Sequence, residues 1–520
     1  MLAQVLKWPL SPLWYLKSAL DQPGDAQRKL LRAAVRRAKD TAWGHAHGFG
    51  ELSRSPGLIE EYQRRVPLSN YSDLQPYLDR VVNGEPDVLW PGRPTAFAVS
   101  GGTRSGGRLV PLSREALGFL TRSSLLPGLY YLASKRGASA ILKGKILSLP
   151  GGIEKSPVGG ARLTGEVSGI MAHRAPRLLT LWLQALPRSV MLMEDWDAKL
   201  SESARIAVGK DVRSLIMVPS WAPVFFERVR EVVGATTGAE ALSRVWPNLQ
   251  VFFSGGVALS SYRATLESYL GPHVDFIESY SASEGLFAFQ DRSEKEGLLV
   301  NLNSGVFFEF VLVGEEKWGS TARYTLETVE SGVDYALYVT NASGLWSLCA
   351  EDIVRFVSTR PPRLRVMGRV GEMLDSFGDA TSAEHARRVI MAADEASGAR
   401  CLRYHLTYFD SPESPTPRHH WVLEFDSEPG DIESYARSLD EFLKQSNGRY
   451  RTRRDPGAMS GPIVTAVPPG SYAAYLKATR KRLSGQSKIV NVSEDGHIAR
   501  GILGVAHEID SSRLITVRVD

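Results

Sequence analysis

The sequence has too few cysteines for several common architectures. Its 520 residues include two, Cys349 and Cys401, which excludes a disulfide framework and a paired-cysteine zinc site. Such scarcity suits a reducing compartment, so we expect a cytoplasmic protein. The ten histidines are scattered without the spacing of metal ligands. Adjacent His419 and His420 would point to opposite faces of a strand, and we interpret both as structural.

Long apolar runs and clusters of positive charge are also missing. No stretch approaches the roughly 18 apolar residues that span a bilayer. Segment 1–20 is amphipathic but lacks a signal-peptide core and cleavage site. We expect it to pack against its own domain, with contact to a membrane surface as the alternative. The net charge of +5 is spread along the chain, so we expect no nucleic-acid partner.

Two catalytic signatures are absent, and one unusual loop remains. The chain has no G-x-S-x-G elbow, which argues against an α/β-hydrolase. The segment SGGTRSGGR, residues 100–108, is not closed by the Gly-Lys-Ser/Thr of a Walker loop. Its glycines let successive N–H groups form an anion-binding nest, while Ser100, Thr103 and Ser105 add hydroxyls and Arg104 adds charge. These features predict a phosphate-binding loop, with a flexible polar hairpin tip as the alternative.

The clearest order of secondary structure lies between residues 212 and 290. Apolar runs predict strands at 214–218, 250–253 and 274–280, separated by helices at 221–233 and 260–270, with Ser260 or Ser261 as the helix cap. This alternation predicts a parallel sheet with crossover helices. The polar clusters SGG and YSASEG then follow the carboxyl ends of two strands, where open α/β sheets bind ligands.

The remaining pattern predicts two domains of different character. Further strands are expected at 298–303, 306–313, 335–341 and 352–357. After residue 367 the pattern predicts a helix at 382–396, strands at 401–408 and 420–426, a helix at 431–446 and a last helix at 471–482. The predicted fold is therefore α/β, with a large N-terminal domain of mixed, largely parallel sheets and a small α+β cap. We assign 1–367 to the first domain, 368–372 to a hinge, 373–500 to the cap and 501–520 to an extension.

The polar residues at the strand ends suit a nucleotide. Thr103, Arg104 and Ser105 are suited to the β and γ phosphates of ATP, and Glu284 is placed for a hard cation such as Mg²⁺. Tyr280 offers a ring for the base. Asp352 is able to accept hydrogen bonds from both ribose hydroxyls, as acidic residues do in dinucleotide sites. Taken singly, each of three residues has an alternative interpretation, Glu284 as a solvated loop acid, Tyr280 as a core aromatic residue and Asp352 as a turn cap.

The order of these segments resembles that of a known family. The similarity extends from about residue 25 to about residue 490 and rests on segments in the same order, which are SGGTRSGGRLVP (100–111), WPNLQVFFSGGVALSSYR (246–263), YSASEG (280–285), NLNSGVFFEFV (301–311), GLWSLCAEDIVRF (344–356), GRVGEMLDSFGD (368–379) and GQSK (485–488). This set resembles the adenylate-forming superfamily, and more closely the acyl acid amido synthetases of the plant auxin-conjugating (Gretchen Hagen) family and their bacterial relatives.

The resemblance implies an ATP-dependent acyl acid–amine ligase. A carboxylic acid attacks Mg-ATP to give an acyl adenylate, and an amine, usually that of an amino acid, then expels AMP. The implied cofactors are ATP and Mg²⁺, the partners are small-molecule acids and amines, and we expect a monomer. The implied ATP-binding residues are Ser100, Gly101, Gly102, Thr103, Arg104, Ser105, Gly106, Gly255, Gly256, Tyr280, Ser281, Ala282, Ser283, Glu284, Asp352 and Arg369. Thr103 and Lys488 are the implied catalytic residues and Glu284 the metal ligand, and we expect Trp221 to contact the acid.

Several positions depart from the family pattern. Two arginines of the family become Ser347 and Cys349, and a glycine becomes Glu351. Gly378-Asp379 stands in place of Gly-Glu, and Val490-Asn491 in place of Pro-Arg. Lost positive charge near a phosphate site would weaken ATP binding, whereas structural positions would tolerate it. Two alternatives therefore stay open, an acyl-CoA or other thiol ligase and a non-catalytic nucleotide-binding homologue.

Overall fold

The chain forms two compact units, which are described separately. The computed structural model describes residues 20, 22–100, 108–154, 158, 160–161, 163–257, 259–292, 294–313, 322–370, 372–374, 376–377, 379, 381–409, 416–479, 489–494 and 496–519. The first unit contains the described residues up to 350 and those from 354 to 366. The second contains 351–353 and the described residues from 367 to 479 and from 489 onward. In these ranges no helix is long and apolar enough to cross a membrane.

A ten-stranded mixed sheet organises the first unit. In spatial order its strands are Val306–Leu312, Asp334–Asn341, Leu348–Thr359, Pro362–Arg369, Leu298–Val300, Gly285–Phe289, Asp275–Ala282, Val251–Gly255, Val212–Met217 and Lys145–Ser148. Parallel pairing joins the last four of these strands. On the other side, antiparallel pairing joins Asp275–Ala282 to Gly285–Phe289, Gly285–Phe289 to Leu298–Val300, Leu298–Val300 to Pro362–Arg369, and Val306–Leu312 to Asp334–Asn341. The prediction of a mixed sheet is confirmed, but the sheet is not largely parallel, because parallel pairing among the described strands is limited to the four at one end.

The parallel part has the predicted strand–helix alternation. Ala222–Val233 and Gly238–Val245 connect the strands Val212–Met217 and Val251–Gly255, and Arg263–Leu270 leads to the strand Asp275–Ala282. Parallel neighbours require such crossovers because the end of one strand and the start of the next lie at opposite edges of the sheet. The carboxyl ends of these strands therefore share one edge.

The helix Ala222–Val233 illustrates how the sequence dictates this layer. Ala222, Phe225, Phe226 and Val229 recur at helical spacing and are all buried. The helix ends at Gly234, whose φ of 64° is left-handed and favours glycine. These side chains share a core with Phe252 and Phe276 of the adjoining strands. Amphipathic spacing, and not the intrinsic propensity of the aromatic residues, thus forms the helix.

A smaller sheet carries the glycine-rich segment. Its strands, in spatial order, are Arg108–Leu112, Ala96–Ser100, Thr164–Gly165 and Ile153–Glu154. Ala96–Ser100 and Arg108–Leu112 pair antiparallel, with Ser100 opposite Arg108. Phe97 and Ala98 are fully buried in a core shared with the N-terminal helices. The buried strand thus fixes the point at which segment 101–107 begins.

The other helices of the first unit surround these two sheets. They span Pro23–Ala38, Ala42–Ala46, Phe49–Leu52, Leu58–Arg65, Tyr71–Val82, Arg114–Ser124, Leu126–Ser134, Val167–Arg174, Arg177–Leu183, Arg188–Met191 and Trp196–Ala207. The helix Tyr71–Val82 begins with a capping box, in which Asn70 and Asp73 each accept a backbone N–H of the other. Ser113 caps the helix Arg114–Ser124 through its hydroxyl, which accepts the N–H of Ala116.

The second unit is built around a four-stranded sheet with helices. Its strands, in spatial order, are Arg400–Tyr408, His419–Ser427, Ile463–Val467 and Ile515–Arg518. Its helices are Ala383–Ser397, Ile432–Ser446, Gly448–Arg454, Ser471–Thr479 and His497–Asp510, and a short ladder pairs Met373–Leu374 with Thr381–Ser382. His419 and His420 lie on one strand and bond in different directions, His419 to Asp379 and His420 to Thr465. Their burial agrees with the structural interpretation.

Two expectations about the elements were wrong, and one strand was missed. The helix after the second parallel strand begins at Arg263, and its N-cap position is Tyr262, so neither Ser260 nor Ser261 caps it. A 3-10 turn occupies Leu259–Ser261 and delays the helix. The helix Ser471–Thr479 is not the last, because His497–Asp510 follows. Strand Ile463–Val467 was not predicted, since its five residues are all buried and show no alternation.

Candidate active site

The base of the glycine-rich hairpin is well defined. Ser100 and Arg108 face each other as the last residue pair before segment 101–107. Gly101, Gly102, Thr103, Arg104, Ser105 and Gly106 lie outside the described residues, so their contacts with phosphate stay a prediction. The structure shows that this segment follows Ser100 and precedes Arg108 at the end of the small sheet.

Tyr71 connects this hairpin to the YSASEG cluster. The guanidinium of Arg108 lies over the Tyr71 ring, 4.7 Å from its centroid. The Tyr71 hydroxyl donates a hydrogen bond of 2.7 Å to Oε1 of Glu284. The two segments that predicted phosphate and metal binding therefore meet through one aromatic side chain. Cation–π contact and a charge-assisted hydrogen bond hold it from both sides.

Glu284 is anchored through its backbone as well as its carboxylate. It follows the strand Asp275–Ala282, and its carbonyl oxygen accepts a hydrogen bond of 2.9 Å from Nδ2 of Asn341. The Oδ1 atom of Asn341 accepts the N–H groups of Ser343 and Leu345 at 2.9 and 3.4 Å. Asn341 is thereby fixed at the end of its strand, with its amide nitrogen directed at Glu284.

The carboxylate of Glu284 fits the way Mg²⁺ binds beside phosphates. Among the described residues no group of three or more His, Cys, Asp or Glu side chains is arranged to hold a metal ion. Mg²⁺ in nucleotide sites characteristically takes one or two carboxylates together with phosphate oxygens and water. A half-buried carboxylate at a strand end, such as Glu284, fits this mode of binding.

The SGG cluster lies beside YSASEG on the neighbouring parallel strand. Gly255 pairs in register with Ser279, and a Cβ atom at Gly255 would lie 3.6 Å from Oγ of Ser281. Gly256 has a φ of 86°, in the left-handed region that favours glycine. The structure thus brings Gly255, Gly256 and Ser281 together at the shared edge. Ser281 is exposed there, while Ala282 and Ser283 are half-buried.

Tyr280 is more buried than a stacking platform needs to be. It is 9% exposed and meets the ring of Phe287 edge-on at 5.2 Å. Most of its surface therefore belongs to the core formed with Phe287 and Phe308. A contact between Tyr280 and an adenine base stays a prediction.

Asp352 and Arg369, two predicted nucleotide contacts, are neighbours within the second unit. Arg369 Nε lies 3.5 Å from Oδ1 of Asp352, and its guanidinium also pairs with Glu351 at 3.1 Å. Glu351 has a φ of 60°, and its carbonyl oxygen accepts a hydrogen bond of 2.8 Å from the N–H of Val370. The family's glycine at this position therefore corresponds to a left-handed backbone conformation, which the glutamate adopts here.

Ser347, which replaces a family arginine, faces a buried network. It is fully buried, and its hydroxyl donates to Oε2 of Glu309 at 2.5 Å. Arg323 supplies the opposite charge, with its NH1 group 3.4 Å from Oε1 of the same carboxylate. Position 347, where the family has arginine, therefore contributes a hydrogen bond to the buried Glu309, and Arg323 is the counter-ion of that carboxylate. Cys349 is also buried, and its N–H donates to the carbonyl of Ser69 at 2.7 Å.

Trp221, the predicted acid contact, belongs to an aromatic pair. It precedes the helix Ala222–Val233 and meets Trp196 edge-on at 5.0 Å. Beneath Trp196 lies the fully buried Lys199, which donates to the carbonyl of Pro150 at 2.5 Å. Burial lowers the pKa of Lys199 to about 8. Contact of Trp221 with a substrate is untested by these geometries and stays a prediction.

The sequence did not identify two residues of the candidate site, and a third, predicted residue lies outside the described part of the chain. Tyr71 and Asn341 lie about 213 and 57 residues from Glu284, so no local pattern linked them to it. One weak signal existed for Asn341, because an asparagine between a strand and a Ser-Gly turn is typical of side-chain bonds to the following backbone. Lys488 lies outside the described residues, and its catalytic role stays a prediction.

Comparisons with known proteins agree with this organisation. Three models of one family match in order, namely the GH3 family N-terminal domain at residues 14–201, the GH3 family central domain at 299–369 and the GH3 family C-terminal domain at 384–497. The chain is 23% identical to indole-3-acetic acid-amido synthetase GH3.3 of Arabidopsis thaliana over 521 residues, covering 86% of each chain. It is 24% identical to indole-3-acetic acid-amido synthetase GH3.8 of Oryza sativa subsp. indica, covering 80% of this chain and 79% of the relative.

Solved structures show the same fold. GH3.15 acyl acid amido synthetase superimposes with a TM-score of 0.77 at 18% identity, covering 98% of this chain and 97% of the other. A 2-hydroxyisobutyryl-CoA ligase in its postadenylation state superimposes with a TM-score of 0.55 at 14% identity, covering 92% and 91%. The three family models together match more than half of the chain. The chain therefore belongs to the GH3 family and has the fold of adenylate-forming enzymes.

Proposed function

We propose that this chain is an ATP-dependent acyl acid–amine ligase. The carboxylate oxygen of the acid attacks the α-phosphorus of Mg-ATP, and pyrophosphate leaves. The nitrogen of an amine then attacks the acyl carbon, loses a proton and expels AMP, which gives an amide. Activation is needed because hydroxide is a poor leaving group, whereas AMP is a good one. The chemistry calls for positioned reactants and neutralised phosphate charge, and no protein nucleophile.

One observation carries this proposal. Tyr71 contacts Arg108 at the base of the glycine-rich hairpin and donates to Glu284 after the central strand. A phosphate-binding loop and a metal-binding carboxylate bind the same Mg-ATP only if they lie close together. Tyr71 contacts both the base of the loop and the carboxylate. The curated relatives of the chain are named amido synthetases, which supports the same reaction.

The roles of individual residues follow from their chemistry. Thr103 and the neighbouring glycine N–H groups are assigned to the ATP phosphates, and Glu284 to Mg²⁺, which supplies charge neutralisation between the phosphates. Asp352 is assigned to the ribose hydroxyls. Arg369, which pairs with Asp352, would orient that carboxylate. These assignments are proposals, and each has a distinct kinetic signature.

The second half-reaction is assigned to the cap and Lys488. A site that first holds departing pyrophosphate must later admit an amine, so two arrangements of the chain are needed. Lys488→Ala should then depress one half-reaction far more than the other. The substrates are small molecules, the acid and an amino acid, and the protein acts as a monomer in the cytoplasm. Its two cysteines, Cys349 and Cys401, do not form a disulfide with each other, which suits that compartment.

Pyrophosphate exchange tests the first half-reaction. Purified protein is incubated with Mg-ATP, labelled pyrophosphate and a panel of aryl, indolyl and alkyl carboxylic acids. We expect at least one acid to drive label into ATP, and Glu284→Ala to raise the Mg²⁺ concentration needed. Glu267→Ala, which removes a surface carboxylate from the helix Arg263–Leu270, is the matched control and should behave as wild type. No exchange with any acid would contradict adenylation.

Product mass distinguishes the amide ligase from its alternatives. The active acid is incubated with Mg-ATP and either amino acids or coenzyme A. An amide with AMP release supports the proposal, whereas a thioester identifies a thiol ligase. ATP binding without exchange identifies a nucleotide-binding homologue.

A further inference from the structure

A buried polar network lies in the first unit behind Glu284. The carboxylate of Glu309 is completely buried on the strand Val306–Leu312, and burial raises its pKa. Ser347 donates to one of its oxygens at 2.5 Å, and Arg323 donates to the other at 3.4 Å. A buried charge of this kind is weak support for stability, since well-packed apolar residues often serve as well. The presence of this buried carboxylate therefore points to a requirement for one defined arrangement of the side chains around it.

Ser347 is the centre of this network. Its φ of 42° lies in the left-handed region, which residues other than glycine rarely adopt. Its N–H donates to Oγ1 of Thr340 at 2.8 Å, and its carbonyl accepts the N–H of Ser69 at 2.9 Å. Tyr62 completes the cluster by bonding to the hydroxyls of both Ser347 and Thr340. Every polar group of Ser347 is therefore engaged, and an unusual backbone conformation is held in place.

Two connections run from Ser347 to Glu284. The first passes through Ser69 to Tyr71, two residues further along the chain, whose hydroxyl donates to the Glu284 carboxylate. The second passes through Thr340 to the adjacent Asn341, which donates to the Glu284 carbonyl. One connection fixes the carboxylate and the other fixes the backbone that carries it.

We propose that Ser347 is a positioning residue for Glu284. Its hydroxyl, held by Glu309 and Arg323, sets the turn that orients Tyr71 and Asn341 around the predicted metal carboxylate. The inference rests on the proposed function for the role of Glu284 in binding Mg-ATP. It adds a residue that touches neither substrate nor metal, at a position where the sequence pattern of the family has arginine.

The test compares two substitutions at position 347. Ser347→Ala removes the hydroxyl and keeps the strained backbone, whereas Ser347→Gly removes the hydroxyl and relieves that strain. We expect both variants to need about tenfold more Mg²⁺ for half-maximal pyrophosphate exchange, from the loss of one bond to a charged group. The apparent KM for the acid should stay unchanged. Ser203→Ala, which removes an equally buried hydroxyl from the helix Trp196–Ala207, is the control.

A double-mutant cycle shows whether the effect passes through Glu284. In a Glu284→Gln background, Ser347→Ala should cause no further loss of exchange. Equal losses in both backgrounds, or a wild-type Mg²⁺ requirement in both Ser347 variants, would overturn the positioning role. The Mg²⁺ dependence of thermal stabilisation by ATP gives a second readout that requires no turnover. If Glu284→Gln alone leaves that Mg²⁺ dependence unchanged, the assignment of Glu284 as a metal ligand is wrong. This result distinguishes a failure of the proposed function from a failure of the positioning role of Ser347.

Discussion

The hydroxyl of Tyr71 donates to the carboxylate of Glu284 at 2.7 Å, across 213 residues of sequence. Tyr71 opens the helix Tyr71–Val82, whose capping box fixes the first turn. Its ring is largely buried at 8% exposure and lies under Arg108. A rigid donor of this kind orients a carboxylate without neutralising it.

Removing this hydroxyl should weaken Mg-ATP use without unfolding the protein. Hydrogen bonds to charged groups contribute about 1.5–3 kcal/mol, and partial exposure of Glu284 favours the lower end. Tyr71→Phe should therefore lower kcat/KM for Mg-ATP about tenfold. Steady-state pyrophosphate exchange at varied Mg²⁺ measures the effect.

Tyr77→Phe is the matched control for this substitution. Tyr77 lies on the same helix and packs edge-on against Trp43 at 4.9 Å. Its variant should retain wild-type exchange. If Tyr71→Phe also retains wild-type exchange, the hydroxyl of Tyr71 does not contribute to the use of Mg-ATP. The contact between Tyr71 and Glu284 would then not support the proposed function.

The loop between Ser100 and Arg108 makes a stronger prediction. Thr103→Ala should lower adenylation by about 10–100-fold, the cost of removing one preorganised donor to developing charge. Thr236→Ala, which truncates an exposed threonine between two helices, should leave the rate unchanged. Labelled pyrophosphate exchange in folded protein decides the matter. An unaltered rate for Thr103→Ala would remove the loop from the phosphate site.

The parallel strands, and the meeting of two polar clusters at their shared edge, could be predicted from sequence. Their signals are local, because runs such as 214–218 and 250–253 are apolar and the helix between them has regular spacing. The observed strands Val212–Met217 and Val251–Gly255 differ from those limits by two residues or fewer. Glycine and hydroxyl clusters after such strands predict a ligand-binding edge for the same reason.

The supporting residues could not be predicted, because their roles depend on contacts between distant segments. Tyr71 reads as an ordinary helix residue until Glu284 lies beside it. Ser347 and Glu351 look like lost functional groups in the sequence, yet both have positive φ values, of 42° and 60°. Departures at these positions therefore concern backbone conformation and buried partners, which a motif comparison does not reveal.

The conformation of Glu351 predicts a stabilising substitution. A left-handed conformation costs a residue other than glycine about 1–2 kcal/mol. The ion pair with Arg369 is part-exposed and offsets at most about 1 kcal/mol. After the greater freedom of glycine in the unfolded chain is subtracted, Glu351→Gly should raise the free energy of unfolding by up to about 1 kcal/mol, measured by urea denaturation.

Glu428→Gly provides the matched control for this effect. Glu428 pairs with Arg513 at 3.2 Å and does not have a positive φ. Its replacement by glycine should destabilise the protein, since the unfolded chain gains freedom without any relief of strain. Destabilisation by Glu351→Gly to the same degree would show that the positive φ at position 351 carries no cost.

His420 makes the stability of the second unit depend on pH. Burial, with a smaller contribution from nearby His405, lowers its pKa from 6.5 to about 4. Its Nε2 bonds to Oγ1 of Thr465 at 2.9 Å. Because the folded pKa lies below the unfolded one, the unfolded state binds more protons between pH 4 and 6.5. The stabilisation is therefore complete above pH 6.5 and is lost as the pH falls towards 4.

The size of this effect is about 3 kcal/mol, since one pKa unit corresponds to about 1.36 kcal/mol. His420→Gln should flatten the dependence of unfolding free energy on pH between 6.5 and 4.5, as measured by urea denaturation monitored at several pH values. His507→Gln, which replaces an exposed histidine on the helix His497–Asp510, should leave the wild-type slope intact. If the His420 variant and wild type lose stability in parallel, His420 is already protonated in the folded state or its burial is relieved, and another group causes the acid sensitivity.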